Sequence, residues 1–165
     1  MREKGTFLGR TMSQTWGAIS LWEKVLTRND FSRIIEIGTM KGVLSHYFLL
    51  FCKQRGAEFH TFDIKDFGMP EEVRWHFHQA DVFEPWNITI IKDLIHKEGQ
   101  TILFCDGGDK PKELETFAPF LKKGDLIATH DWGTEVYVRD VPEGVERTFD
   151  KECKKEGMTQ FFIKL

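Results

Sequence analysis

At 165 residues, 41% hydrophobic, with a net charge of −3 and a pI near 6.1, the chain suits a single domain over 1–165 with a core of its own. The acidic balance argues against nucleic-acid binding, which calls for a basic surplus, and no apolar run approaches membrane-spanning length. Cys52, Cys105 and Cys153 are scattered, giving neither a disulfide framework nor zinc spacing; with no signal-peptide pattern, they fit a reducing, cytoplasmic setting.

Residues 1–12 are polar and glycine-bearing and read as an arm. A leading helix is expected within 13–30, because Ala18, Leu21, Trp22 and Val25 recur at i, i+3, i+4 and i+7, with Ser13 as its N-cap. The run 32–37 is an apolar strand. It feeds a turn punctuated by Gly38 and Gly42, and then a helix carrying Leu44, Tyr47, Phe48 and Phe51 on one face. A second strand, 58–63, follows Gly56, and 64–72 reads as loop. Residues 73–79 read as a short strand with His76 and His78 on one half-exposed face. Pro85 opens a helix with Ile88, Ile91, Leu94 and Ile95 as its buried stripe. The strand 101–106 leads to a helix from Pro111, distorted near its end by Pro119. The strand 126–129 ends at His130-Asp131. Beyond it, 142–156 reads as helix and 160–164 as a final strand.

Alternating strands and helices predict an α/β fold: a three-layer, Rossmann-like sandwich around a mostly parallel sheet of six or seven strands, with an antiparallel C-terminal strand. In such sheets ligands bind beyond the carboxyl ends of the strands. Four predicted strands end there in Glu36, Asp63, Asp106 and the pair His130-Asp131, and core strands have little structural need of such termini. The loop over Gly38 and Gly42 suits close approach of a nucleotide-like cofactor. Asp63, 21 positions after Gly42 at the tip of the second strand, is placed to accept hydrogen bonds from a ribose. The glycine spacing departs from G-x-G-x-x-G, which suits a cofactor without a pyrophosphate.

The stretch Glu36-Ile37-Gly38-Thr39-Met40-Lys41-Gly42 resembles motif I of class I S-adenosylmethionine (SAM)-dependent methyltransferases, in the form found in metal-dependent O-methyltransferases. Residues 103–108 and 121–132 are similar to the fourth- and fifth-strand motifs of related small families, the cephalosporin hydroxylase-like proteins among them. The resemblance spans about 13–132. It implies that Glu36, Gly38 and Met40 line the methionine end of SAM, that Asp63 holds the ribose with Ile64 beside the adenine, and that Asp81 and Val82 meet the adenine. A plain N-capping role is the alternative for Asp81. Ser45 either reaches the SAM carboxylate or is a surface position.

The resemblance further implies methyl transfer to a small-molecule hydroxyl, with a divalent cation assisting at Asp106, His130 and Asp131. The matching family positions are acid, acid and amide, so His130 departs from the pattern. It is a ligand, a capping histidine or a neutral general base. Lys110 is a base if its pKa is depressed, and otherwise a solvated charge. Asp109 is a further candidate ligand or base. Trp132 stacks on an acceptor or simply packs. The pocket is left open, or is completed by the N-terminal arm or by a second copy of the chain in a homodimer. Two rival readings use the same residues: a nicotinamide-dependent oxidoreductase, and a non-catalytic SAM-binding module.

Overall fold

The computed structural model describes residues 4–165. Its main sheet has seven strands: β3 (Phe31–Ile37), β4 (Glu58–Asp63), β5 (Phe77–Gln79), β6 (Gln100–Cys105), β7 (Leu126–Thr129), β8 (Val145–Thr148) and β9 (Gln160–Lys164). They lie in the order β5-β4-β3-β6-β7-β9-β8. The first five are parallel, and β9 runs antiparallel to both β7 and β8. The N-terminal hairpin, β1 (Lys4–Phe7) and β2 (Arg10–Thr15), forms a separate two-stranded sheet.

Both faces of the sheet are covered, which is why its strands read as near-continuous apolar runs. Ile34, Ile102, Phe104, Ala128 and Phe161 face α1 (Trp16–Arg28) and α2 (Val43–Arg55). Ile35, Leu103, Ile127 and Phe162 face α4 (Pro85–His96) and α5 (Lys110–Phe117). Trp22 lies at the centre of the first layer. Its ring meets Phe48, Phe104 and Phe161 edge-on at centroid distances of 4.6, 4.9 and 4.7 Å. The remaining helices are the single turn α3 (Glu71–Arg74) and α6 (Asp150–Glu156).

The expected strands at 58–63, 126–129 and 160–164 and the helix from Pro85 fall where the pattern put them, and Pro119 does end α5 in a 3-10 turn, Ala118–Phe120. Four readings need correction. From residue 4 onward the arm belongs to the β1–β2 hairpin, turned by Leu8 and Gly9, which both have positive φ as a type I′ turn requires, and its residues 1–3 lie outside the described residues. Ser13 lies in β2, and Thr15 caps α1 by accepting from Ala18 N. Within 73–79 only Phe77–Gln79 is strand, because Glu71 and Glu72 after Pro70 start a helical turn with its acids at the favourable end. Residues 142–156 divide into β8 and α6, so the sheet keeps a C-terminal hairpin and has seven strands rather than six.

Replacing Trp22 by alanine should cost about 3–5 kcal/mol, the usual range for a fully buried large aromatic. Urea unfolding followed by far-UV circular dichroism measures it.

Candidate active site at the strand tips

The C-terminal ends of β3, β4, β6 and β7 open into a cavity of about 670 Å³. Its floor is set by Gly38. This residue has φ +98°, and a Cβ there would lie 2.3 Å from the Asp106 carbonyl oxygen. Only glycine lets the two loops touch. Backbone bonds hold them together: Gly38 N donates to Phe62 O at 2.8 Å and Asp106 N to Ile37 O at 2.9 Å. Gly42 (φ +65°) starts α2, and a Cβ at this position would meet Met69 at 2.7 Å.

Glu36 is buried below this floor and still lines the cavity. It accepts from Ser45 Oγ at 2.5 Å and Thr61 Oγ1 at 2.7 Å. Ser45 is therefore neither a surface residue nor free to reach a ligand. Burial pushes the Glu36 carboxyl up to about 7, against the lowering effect of those two hydroxyls. Asp63 lines the cavity from the tip of β4, accepting from Met40 N at 2.8 Å and Lys65 N at 3.2 Å. Met40, Ile64, Asp81 and Val82 also line it. Asp81 is not the N-cap of α4, a position Glu84 holds; its side chain closes a local turn by accepting from Phe83 N at 2.9 Å.

Across the floor from Asp63 lies an acidic corner. Asp106, at the end of β6, and His130-Asp131, at the end of the neighbouring β7, bring ligand-type atoms within 4.8 Å of one another. His130 Nδ1 is 3.5 Å from Asp106 and 3.2 Å from Asp131. Burial raises the Asp106 carboxyl well above the usual carboxylate range, and Lys110 pulls the other way. Burial also lowers the His130 pKa, outweighing the opposing pull of Asp131, so the ring is neutral at neutral pH. Asp131 has φ +56°, a left-handed conformation uncommon outside glycine.

Lys110 fits neither expectation made for it. It is buried rather than solvated, with Nζ 3.0 Å from Asp131, 2.9 Å from Glu135 and 3.9 Å from Asp106, and it donates to Gly107 O. Burial alone would lower its pKa, but the hydrogen bonds to Glu135 and Asp131 outweigh that and the net shift is upward. A depressed pKa, which a lysine base would need, is absent. Asp109 lines the cavity too and caps α5, accepting from Lys112 N at 3.2 Å.

Sequence reasoning missed the polar partners that surround these groups. Gln14, on β2, donates from Nε2 to Asp106 Oδ2 at 2.8 Å. Ser13 Oγ contacts Met40 Sδ at 3.1 Å, and Thr11 completes this wall of the cavity. Glu113 is buried against Gly107 N, and burial pushes it up to about 7 as well. Alternation of Met12 and Gln14 was the available signal for β2. Outside the cavity, His78 meets His60 rather than His76, with ring nitrogens 3.3 Å apart. Trp132 packs edge-on against Phe162 at 5.8 Å, with Arg147 over its ring.

Seven strands with an antiparallel β9 between β7 and β8 give the fold of the class I SAM-dependent methyltransferases. A Rossmann dinucleotide sheet runs in the parallel order 3-2-1-4-5-6 instead. The solved structures it resembles include the Mg–SAM form of CmcI (TM-score 0.61, 16% identity, 77% of this chain). Others are a caffeoyl-CoA O-methyltransferase-like protein from Staphylococcus aureus (0.58, 14%, 90%) and the MycE methyltransferase of the mycinamycin biosynthetic pathway with Mg and SAH (0.56, 16%, 93%). The chain spans 57% of the CmcI chain, 83% of the S. aureus chain and 50% of MycE. At these identities the likeness is one of fold. No family model and no curated protein matches the sequence.

The raised Glu36 carboxyl gives stability a definite pH dependence. Between its solution value of 4.5 and about 7 the folded protein holds a proton that the unfolded chain has released, so stability falls as pH rises through that window. Glu113 acts with the same sign. Glu36→Gln should remove about 2–3 kcal/mol of the fall between about pH 5 and about pH 8, read from urea unfolding at both pH values.

Proposed function

We propose that this chain is a SAM-dependent methyltransferase acting on a hydroxyl oxygen of a small molecule. The carrying observation is that Asp63 and the Asp106–His130–Asp131 corner share one cavity on either side of Gly38. In this reading Asp63 accepts from the ribose, while Ile64, Asp81 and Val82 flank the adenine. Glu36, Gly38 and Met40 line the methionine end, and Gly42 keeps the start of α2 clear for close approach. The Mg–SAM form of CmcI and the SAH complex of MycE support the choice of cofactor, and the caffeoyl-CoA O-methyltransferase-like neighbour supports oxygen as the acceptor atom.

SAM, when bound, supplies an electrophilic sulfonium methyl; the protein's task is to hold an oxygen in line with it and to take up the proton. His130, neutral and hydrogen-bonded within the corner, is the group fitted to accept that proton. Lys110 stays an ammonium. It fixes Asp131 and Glu135 and balances charge beside Asp106. Two carboxylates and an imidazole also fit a divalent cation held by Asp106, His130 and Asp131. Such an ion lowers the pKa of a bound hydroxyl, and the imidazole shifts preference from magnesium toward manganese, iron or zinc.

Isothermal titration calorimetry should show binding of SAM and of its product S-adenosylhomocysteine (SAH), and no binding of NAD; the opposite pattern overturns the proposal. Asp63→Ala should weaken SAM about tenfold or more through loss of charge-assisted hydrogen bonds. Asp131→Ala should leave SAM affinity within about threefold. It should also abolish transfer of labelled methyl groups to a panel of sugar and phenol acceptors.

A further inference from the structure

At the free edge of the sheet, away from the cavity, two histidines face each other on neighbouring parallel strands. Thr61 pairs with Phe77 and Phe62 with His78, so His78 of the edge strand β5 lies beside His60 and Phe62 of β4. The His78 ring is stacked on Phe62, with 4.5 Å between centroids and 14° between planes. His78 Nε2 and His60 Nδ1 are 3.3 Å apart. The other nitrogen of His60, Nε2, is 3.3 Å from Glu58 Oε2, and Lys97 Nζ holds the same oxygen at 2.8 Å. Both rings are half-buried.

Each ring is thus oriented by something other than its partner. The Lys97 ammonium holds the Glu58 carboxyl below the usual carboxylate range, so Glu58 is ionised at neutral pH and only accepts. That assigns the His60 proton to Nε2 and leaves Nδ1 as a lone pair toward His78. A carboxylate behind one imidazole nitrogen, with the other nitrogen free to ligate, is the arrangement that orients metal-binding histidines. The spacing agrees. Two nitrogen ligands with bonds of about 2.0–2.1 Å at a tetrahedral angle lie roughly 3.3 Å apart. Burial lowers the pKa of both rings, so neither carries a charge that would repel a cation. Moving the His78 proton from Nε2 to Nδ1 frees the second lone pair without a net loss of protons.

We propose that His60 Nδ1 and His78 Nε2 form a site for a zinc-like divalent cation, separate from the acidic corner. Imidazoles without a carboxylate ligand select zinc, copper or nickel over magnesium and calcium. Solvent supplies the remaining positions, which a half-buried edge allows. The inference is independent of the SAM reading, yet the site bears on the cavity. From His78 the chain runs through Gln79 to Ala80, whose N donates to Asp63 O at 2.8 Å, and then to Asp81. Ala80 and Asp81 line the cavity, so an ion tying β5 to β4 holds the strand end that carries this wall.

The first measurement uses the unaltered protein and zinc ion alone. In a histidine side-chain 1H–15N spectrum the His60 and His78 resonances should move together, at roughly tenfold lower zinc than those of exposed His96. Excess magnesium should leave both in place. Signals that ignore zinc, follow His96 or respond to magnesium overturn the inference. The second is zinc calorimetry on Asp131→Ala, in which the acidic corner is broken and one binding step should remain. Adding His78→Ala should weaken that step about tenfold or more, and adding Glu58→Gln about tenfold through loss of the support behind His60. Adding His76→Ala, whose imidazole Nδ1 is held by the Phe59 carbonyl, should change it by less than about twofold. A zinc step unchanged by His78→Ala overturns the inference, as does one lost equally with His76→Ala.

Discussion

The site depends on one close approach of backbone to backbone. β3 and β6 lie side by side and parallel, and the loops that leave them converge until Gly38 sits against the Asp106 carbonyl. A methyl group at position 38 would occupy space already taken by that oxygen, by the carbonyl carbon and by Gly107 N. Gly107 has its own reason to lack a side chain, because a Cβ there would strike Glu113 at 2.2 Å. With both side chains absent, the cavity floor is made of peptide planes fixed by the sheet itself. Everything that projects above it, Asp63 on one side and Asp106 on the other, is placed by strand register rather than by flexible loops.

Three carboxylates, one imidazole and one ammonium meet at the acidic corner, and their burial decides how each behaves. Unpaired, Asp106 and Asp131 would repel each other in a poorly solvated setting. Lys110 relieves this by reaching Asp131, Asp106 and Glu135 together, from the first turn of α5. The same contacts that make it an effective counter-charge keep its proton on and disqualify it as a base. His130 stands in the opposite condition. Burial outweighs its anionic neighbours, leaving a neutral ring beside two carboxyl groups. Under the proposed function, environment rather than residue type separates the base from the counter-charge.

Much of this was legible because the central strands are buried on both faces and carry unbroken apolar runs ending in acids. Ile34-Ile35 is closed by Glu36, and Ile102 to Cys105 by Asp106. The misread parts are those where tertiary contacts override a weak local pattern. Leu8-Gly9 lacks the Asn or Asp that normally announces a type I′ turn, so the hairpin was hidden in a polar arm. β8, Val-Glu-Arg-Thr at the sheet edge, sets two helix formers between two β-branched residues and is too short to declare itself; pairing with β9 holds it as strand. Gln14 was out of reach for the same reason, since its importance follows from a contact with Asp106 across 92 positions of sequence.

The charge of the cavity also bears on which ligand it suits, independently of glycine spacing. Asp63, Asp81, Asp109 and Asp131 line it, with Lys41 as the one lysine or arginine among the lining residues. A dinucleotide would bring a doubly charged pyrophosphate toward those carboxylates, with no sequence-adjacent nest of small residues to receive it. A sulfonium cofactor brings the reverse. Its sulfur is cationic and its amino-acid portion carries an ammonium beside a carboxylate, so it brings a net positive charge into a site whose fixed charge is negative. At separations of several ångströms in a partly desolvated cavity, opposite signs attract and like signs repel by kcal-scale amounts. The glycine loop alone leaves the two ligand classes open, and the carboxylates around it favour the cationic one.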